Sequence, residues 1–90
     1  MTFLARVTVM PKAVVNDPQG VTVSHGLRSL GFEEVADVRV GKLIQVRLDA
    51  ANPEGARERV DAMCRRLLAN HVIEDYSFEV EPAHEAVTTA

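Results

Sequence analysis

The chain has 90 residues, of which 47% are hydrophobic and 4% aromatic, and its formal net charge is −3. This length predicts one small domain that buries only about 60–65% of its unfolded surface, so self-association is expected. The acidic balance argues against nucleic-acid and anionic-membrane partners, which favour basic surfaces. Cys64 is the only cysteine, which excludes an intramolecular disulfide and fits a reducing compartment.

The first predicted element is a strand over residues 2–10. Its apolar side chains alternate with Arg6 and Thr8, as in a half-buried strand, and Pro11 ends the pattern. The segment lacks a small-residue cleavage pattern, so we interpret it as a strand rather than a signal peptide. No apolar run in the sequence is long enough to cross a membrane.

A helix is predicted after the connection formed by residues 12–16. Asp17 is suited to cap it, and Pro18 suits its first turn. Gly31 is placed where a helix ends in the left-handed region. The β-branched run Val21-Thr22-Val23 favours a strand locally, but the cap, the stop and the length favour a helix.

The next segment predicts two strands or one bent strand. Val38 and Val40 lie on one face of a strand that ends at a glycine turn. A three-residue connection, Gly41-Lys42-Leu43, would set Val40 opposite Ile44 and keep the buried face apolar, whereas a two-residue turn would bury polar side chains. A single bent strand satisfies the same alternation.

A second helix and a last strand complete the domain. Asn52 and Pro53 repeat the capped start of the first helix. The helix carries an apolar stripe of Ala56, Val60, Met63, Leu67 and Leu68, with Cys64 beside it and Asn70 at its end. Tyr76, Phe78 and Val80 then alternate with polar residues up to Pro82, and residues 83–90 are expected to be a flexible tail.

A weak internal repeat relates the two halves. An offset of 38 aligns Val38 with Tyr76 and Val40 with Phe78, and each half reads strand, helix, strand. The prediction is an α+β fold of β-α-β-β-α-β order, with one antiparallel sheet covered by two helices, as in ferredoxin-like domains.

No catalytic constellation is evident in the sequence. His25, His71 and His84 lack the spacing of zinc ligands, so surface or capping roles are expected and no metal site is predicted. Ser24 and His25 are helix neighbours that point in different directions. Cys64 is expected to be a small core residue. The glycines do not form a phosphate-binding fingerprint between a strand and a helix.

The predicted sheet face without helices suggests a protein interface. RNA-binding sheets of this topology carry stacking aromatic side chains on that face, and none are predicted here. Leu4, Met10 and Leu43 do fall on it, which indicates partial burial against another chain.

Several motifs, taken in order, resemble the PurS family. They are Asp17 to Gly20, Leu27 to Phe32 (LRSLGF), Asp37 to Lys42 (DVRVGK), Met63-Cys64 with Leu67 to Asn70, and Val72 to Tyr76 (VIEDY). Together they span roughly residues 3–81 and predict a PurS-like domain over residues 1–82. PurS is the small subunit of phosphoribosylformylglycinamidine (FGAM) synthase, a purine-biosynthesis ligase.

The resemblance implies a non-catalytic, cytoplasmic subunit with no cofactor or metal of its own. ATP and Mg²⁺ would be used by the large synthetase subunit, and a glutaminase subunit would supply ammonia. The small subunit would join the two, assist ammonia transfer and pair with itself as a dimer or tetramer. Arg39 and Lys42, in the DVRVGK motif, are predicted to contact a partner, as are Leu4 and Leu43 on the sheet face.

Two other functions stay open at this point. A small-molecule-binding regulatory domain shares the predicted topology and would bind a metabolite at a dimer interface. A small stand-alone hydrolase is the third reading, and the absence of a nucleophile with its base disfavours it.

Overall fold

The computed structural model describes residues 1–13 and 17–83. Its strands are β1 (Thr2–Pro11), β2 (Lys42–Asp49) and β3 (Glu74–Pro82), and its helices are α1 (Pro18–Ser29) and α2 (Pro53–Met63). The predicted tail, apart from residue 83, and part of the predicted 12–16 connection lie outside the described residues. The architecture is α+β and ferredoxin-like, as the sequence predicted.

The sheet is antiparallel, with β1 at its centre in the order β2-β1-β3. Val7 lies opposite Ile44 on one side and Phe78 on the other, so these three side chains share a face. The odd-numbered residues of β1 on this face are fully buried from Phe3 to Val9. The alternation in residues 2–10 therefore predicted the buried face of β1 correctly. Apolar side chains occupy this face because it is the side of the sheet from which water is excluded.

Helix α2 covers that buried face. Ala56, Val60 and Cys64 are completely buried at intervals of four residues. The chain then makes one π-helical turn, Cys64–Leu68, in which the Ala69 N–H donates to the Cys64 carbonyl at 3.1 Å. The extra residue in this turn brings Ala69 into the core.

The π-helical turn corrects the predicted apolar stripe at its C-terminal end. A regular helix would have continued the stripe through Leu67, whose surface is 83% exposed in the structure. Cys64, predicted beside the stripe, lies instead at its centre. The burial differs from the prediction because the helix widens to a π-helical turn at this point, which changes the spacing between buried side chains.

The second correction concerns the predicted hairpin. Residues 35–41 belong to no strand of the sheet, and β2 begins at Lys42. Lys42 is opposite Val9, so it lies in a strand and not in a turn. The chain runs onward from the connecting segment, which we define as residues 35–41, into β2. Neither predicted arrangement is formed, because residues 35–41 add no strand to the sheet, and the described part of the sheet has three strands rather than four.

This geometry makes the molecule long. Its Cα radius of gyration is 16.8 Å and its extents are 49 × 32 × 19 Å. A compact domain of this length has a radius of gyration of about 12 Å. The difference arises because α1 packs against the connecting segment rather than against the strands.

Candidate interaction surfaces

Asp17 joins helix α1 to the connecting segment. Its Oδ1 accepts a hydrogen bond from the Gly20 N–H at 3.0 Å, which is the predicted helix cap. Its Oδ2 accepts a second from the Val40 N–H at 2.9 Å, across 23 residues of sequence. The Val40 bond, followed by the Gly20 bond, holds the pKa of Asp17 below its ordinary value. One carboxylate therefore fixes two elements.

Two further contacts make α1 and the connecting segment one unit. Gly20 approaches the Val38 carbonyl so closely that a side chain at position 20 would collide with it. Arg28 donates from Nε and Nη2 to the Val35 carbonyl, at 3.1 and 2.9 Å. We call the resulting unit, residues 17–41, the arm.

The arm leaves apolar surface uncovered. Only Gly20 and Ser24 of α1 are buried, while Val23 is 43% and Leu30 is 75% exposed. Phe32, just after the helix, is also exposed. A 12-residue helix with so little burial is only marginally stable unless another surface covers it.

The predicted partner residues lie on two different parts of the molecule. Arg39 and Lys42 are exposed, with Arg39 in the connecting segment and Lys42 at the start of β2. Leu4 and Leu43 share the face without α2, because Leu4 is opposite Arg47 and Leu43 is opposite Thr8. Leu4 and Leu43 are thus four residues apart along the sheet, roughly 13 Å. They form no contiguous patch, and their contact with a partner stays a prediction.

Two clefts lie beside β2. One, of about 350 Å³, lies where the arm meets the sheet and is lined by Asp17, Lys42 and Glu74 together with apolar side chains. The other, of about 290 Å³, runs beside α2 above β2. We call it the α2 groove, and its apolar lining residues are Val46, Ala62, Met63, Leu67 and Leu68.

A polar cluster ties α2 to β3. The Tyr76 hydroxyl donates to Asp61 Oδ1 at 2.5 Å, and Arg65 Nε donates to Asp61 Oδ2 at 2.9 Å. The Tyr76 bond, followed by Arg65, lowers the pKa of Asp61, and the same bond raises the pKa of Tyr76. Sequence reasoning did not identify the contact of Tyr76 with Asp61, because no local signal joins residues 15 positions apart.

The residues weighed for chemistry are not assembled into a catalytic site. Ser24 is buried and His25 exposed, so they face different surroundings. Cys64 is completely buried, and burial followed by the Asp61 charge raises the pKa of its thiol. His71 Nε2 lies 2.9 Å from the Arg65 carbonyl, and His84 lies outside the described residues.

Two classes of site are absent from the parts of the chain that the structure describes. No three metal-ligating side chains come together in residues 1–13 and 17–83. In the same ranges no helix is long and apolar enough to span a membrane. What the structure does present are surfaces: the arm, an uncovered sheet face and two clefts.

Comparisons with known proteins show which family this chain resembles. The family model described as PurS, phosphoribosylformylglycinamidine (FGAM) synthase, matches residues 4–82. FGAM synthase subunit PurS of Synechocystis is 41% identical over 87 residues, covering 97% of this chain and 87% of that protein. The Bacillus subtilis subunit is 43% identical over 79 residues, covering 88% and 93%.

Solved structures give the same result. Thermus thermophilus PurS superposes with a TM-score of 0.84 at 35% identity, covering 93% of this chain and all of that one. A chain of the PurLQS structure from Thermotoga maritima superposes with a TM-score of 0.82 at 33% identity, covering 90% and 99%.

Proposed function

The chain belongs to the PurS family of FGAM synthase subunits, and on this premise we propose that it is the non-catalytic small subunit that bridges the glutaminase and synthetase subunits. In this role it assists the transfer of ammonia from one to the other, in the cytoplasm. ATP and Mg²⁺ belong to the large subunit, and no cofactor is assigned to this chain.

The observation that carries the proposal is the full-length match to a subunit found in a complex. The similarity to a chain of the Thermotoga PurLQS structure covers nearly the whole of both chains. The described residues offer exposed apolar and charged surfaces, and their only cysteine thiol is buried with a raised pKa. These properties suit a subunit that works by contact.

Self-association is part of the same proposal. The exposed apolar residues of α1 and the length of the molecule indicate that one chain alone leaves surface uncovered. We assign Arg39 and Lys42 to contacts with a partner chain, since both are exposed near the junction of arm and sheet.

Reconstitution with the two larger subunits tests the proposal. FGAM formation from glutamine is expected to require this chain, whereas formation from added ammonia is expected to persist with the large subunit alone. The matched control omits the glutaminase subunit. Equal glutamine-dependent rates with and without this chain would refute the bridging role, and turnover by the chain alone would refute the non-catalytic assignment.

Charge reversal tests the assigned contacts. Arg39→Glu with Lys42→Glu is expected to leave the melting temperature unchanged, since neither side chain is buried, and to weaken co-elution with a partner at least about tenfold. Arg57→Glu, on the outer side of α2, is the control. Normal co-elution and full glutamine-dependent activity of the double variant would remove both residues from the interface.

A further inference from the structure

The outer edge of β3 has no strand beside it in the part of the chain that the structure describes, because β3 ends the sheet order β2-β1-β3. The Lys12 N–H donates to the Ile73 carbonyl at 2.8 Å, and the Ala83 N–H donates to the Thr2 carbonyl at 2.9 Å. These bonds show that the odd-numbered residues of β3 direct their backbone groups toward β1. The even-numbered residues therefore direct theirs away from the sheet.

The free part of this edge lies between Glu74 and Pro82. The Glu74 N–H is already bonded to the Asn70 carbonyl at 2.7 Å, and Pro82 has no N–H to donate. The outward backbone groups between them belong to Tyr76, Phe78 and Val80, which we call the β3 edge. These residues span roughly 14 Å at the rise of a strand, which is enough to pair with one short extended segment.

From this edge we infer that β3 accepts an extended segment of another protein as an additional antiparallel strand, and that this segment alternates basic and apolar side chains. Strand addition of this kind obtains its affinity from main-chain hydrogen bonds and its selectivity from alternate side chains. Antiparallel pairing continues the pattern of the whole sheet. The inference goes beyond the bridging function proposed above and does not depend on it.

Charge on one face of β3 selects basic side chains in the added strand. Asp75, Glu79 and Glu81 all lie on the face without α2. Glu79 is exposed and forms no ion pair with any described residue. Asp75 and Glu81 pair with Lys12 and Arg6, but their side chains stay 68% and 51% exposed. Exposed pairs contribute little to stability, so both carboxylates remain available to a second cation.

The other face of the β3 edge selects apolar side chains. Tyr76, Phe78 and Val80 pack against the core but are only partly buried. The rings of Tyr76 and Phe78 are stacked, with their centroids 6.3 Å apart, at the margin of the sheet. Residues directly opposite in an antiparallel pair have Cβ atoms about 4.5–5.5 Å apart. Every second side chain of an added strand would therefore cover this apolar margin.

The charge of β3 disfavours a second copy of β3 as the occupant. Matching the faces requires even-numbered residues opposite even-numbered residues. Antiparallel self-pairing centred on Phe78 then sets Asp75 opposite Glu81. Centring on Ser77 sets Asp75 opposite Glu79, and centring on Glu79 sets that residue opposite itself. Because like charges directly opposite each other are destabilising, β3 is protected against its own copies and open to a basic segment.

Titration with a synthetic peptide tests the strand addition. The probe is the end-blocked heptapeptide Lys-Val-Lys-Val-Thr-Val-Lys, which in antiparallel pairing sets lysine opposite the three carboxylates and valine opposite the β3 edge. Added to the isotope-labelled full chain, it is expected to shift the amide resonances of Tyr76, Phe78 and Val80 and to slow their exchange with solvent. The matched control peptide has N-methylated valines, which removes the donors for the β3 edge without changing the charge. It is expected to leave these amides unchanged.

Two changes of charge test the selection of basic side chains. A peptide with glutamate in place of lysine is expected not to bind. Glu79→Lys is expected to weaken binding of the lysine peptide at least about tenfold and to leave helix and strand content unchanged, since the side chain is exposed. Glu58→Lys makes the same change at an exposed site of α2 and is the control, expected to bind normally. Added salt is expected to reduce the affinity, because exposed charges are screened.

Each outcome decides the inference. Shifts of the three edge amides with the lysine peptide, and with neither control peptide, support it. Unchanged edge amides at millimolar lysine peptide would overturn it. Equal binding of the N-methylated peptide would overturn the strand addition, and equal binding of the glutamate peptide would overturn the selection by charge.

One further measurement separates another protein from a second copy of this chain. Exchange protection of the edge amides without any peptide, increasing with protein concentration, would identify a second copy as the occupant and overturn the inference. None of these results bears on the proposed bridging function, which the reconstitution described above tests by itself.

Discussion

Asp17 and Asn52 occupy equivalent places at the starts of the two helices but do different work. Each side chain caps its helix, Asp17 through Gly20 and Asn52 through Gly55. Only Asp17 also accepts the Val40 N–H and so holds the connecting segment. Both helices begin with the same sequence pattern, a capping residue followed by proline. Only at Asp17 does the cap also make a contact with a distant segment of the chain.

Alanine substitution separates these roles. Asn52→Ala is expected to cost about 1 kcal/mol of unfolding free energy, as is usual for a lost cap. Asp17→Ala is expected to lower the melting temperature further, because Val40 N–H loses its acceptor as well. Thermal unfolding of both variants checks this, and equal shifts would show that the Val40 bond contributes nothing to stability.

Tyr76 and Asp61 give stability a defined pH window. Their hydrogen bond requires a carboxylate and a protonated phenol. This bond therefore lowers the pKa of Asp61 and raises the pKa of Tyr76. Asp61 therefore stabilises the fold above the ordinary carboxyl range of about 4, and this is lost as pH falls through its folded-state pKa. Tyr76 stabilises it below about pH 10, and this is lost as pH rises through its folded-state pKa.

Tyr76→Phe is expected to lower the melting temperature by a few degrees at pH 7 and to flatten its dependence on pH at both ends. Thermal unfolding from pH 3 to pH 11 measures this. Phe78 stacks beside Tyr76 and has no hydroxyl, so Phe78→Leu serves as a control that alters packing alone. An unchanged pH profile in Tyr76→Phe would show that the Asp61 bond is not made in solution.

At the scale of elements, the π-helical turn decides which residues at the end of α2 are buried. It carries the chain from Cys64 to Ala69 in one wide turn, so that Ala69 is 7% exposed. In a regular helix, Leu67 and Leu68 would both have continued the buried face at this point. The turn therefore leaves Leu67 outside to line the α2 groove.

Enlarging Ala69 tests the turn. Ala69→Leu is expected to cost about 1–3 kcal/mol, because Ala69 is buried in the core cluster and three added carbon atoms would overpack it. Ala51→Leu makes the same change at an exposed site and is expected to be neutral. Denaturant unfolding compares the two, and a neutral Ala69→Leu would contradict the wide turn.

At the scale of the molecule, stability is expected to depend on protein concentration. A dimer that forms only from folded chains stabilises them by mass action, so the melting temperature should rise between micromolar and millimolar protein. A concentration-independent melting temperature in the unmodified chain would indicate that folding is complete within one copy.

The uncovered surfaces of the molecule are consistent with its membership of a family of enzyme subunits. A chain of this size buries too little surface to be very stable alone, and it carries an arm that extends beyond its own sheet. The proposed role as a bridging subunit would use those surfaces, whereas a stand-alone hydrolase would need a nucleophile and base that the described side chains do not bring together.

The local features of the fold could be predicted from the residues alone. Alternation in residues 2–10 predicted β1 and its buried face, the Asp17-Pro18 and Asn52-Pro53 pairs predicted where both helices begin, and Gly31, with a φ of 102°, ends α1 as expected. The order of motifs also indicated the family. Each of these signals depends on neighbouring residues alone, so a single sequence contains it in full.

The position of residues 35–41, in contrast, depends on contacts between residues that are far apart in the sequence. Alternation of Val38 and Val40 is the same whether the strand folds back on β2, bends away or pairs with another copy, because alternation specifies a face and not a partner. The hydrogen bond from the Val40 N–H joins it to Asp17, 23 residues away, and the π-helical turn at Cys64 shifts the buried positions after it. Neighbouring residues in the sequence signal neither feature. The residues alone thus predicted which side chains alternate, and contacts between distant parts of the chain determined that residues 35–41 join no strand and that β2 begins at Lys42.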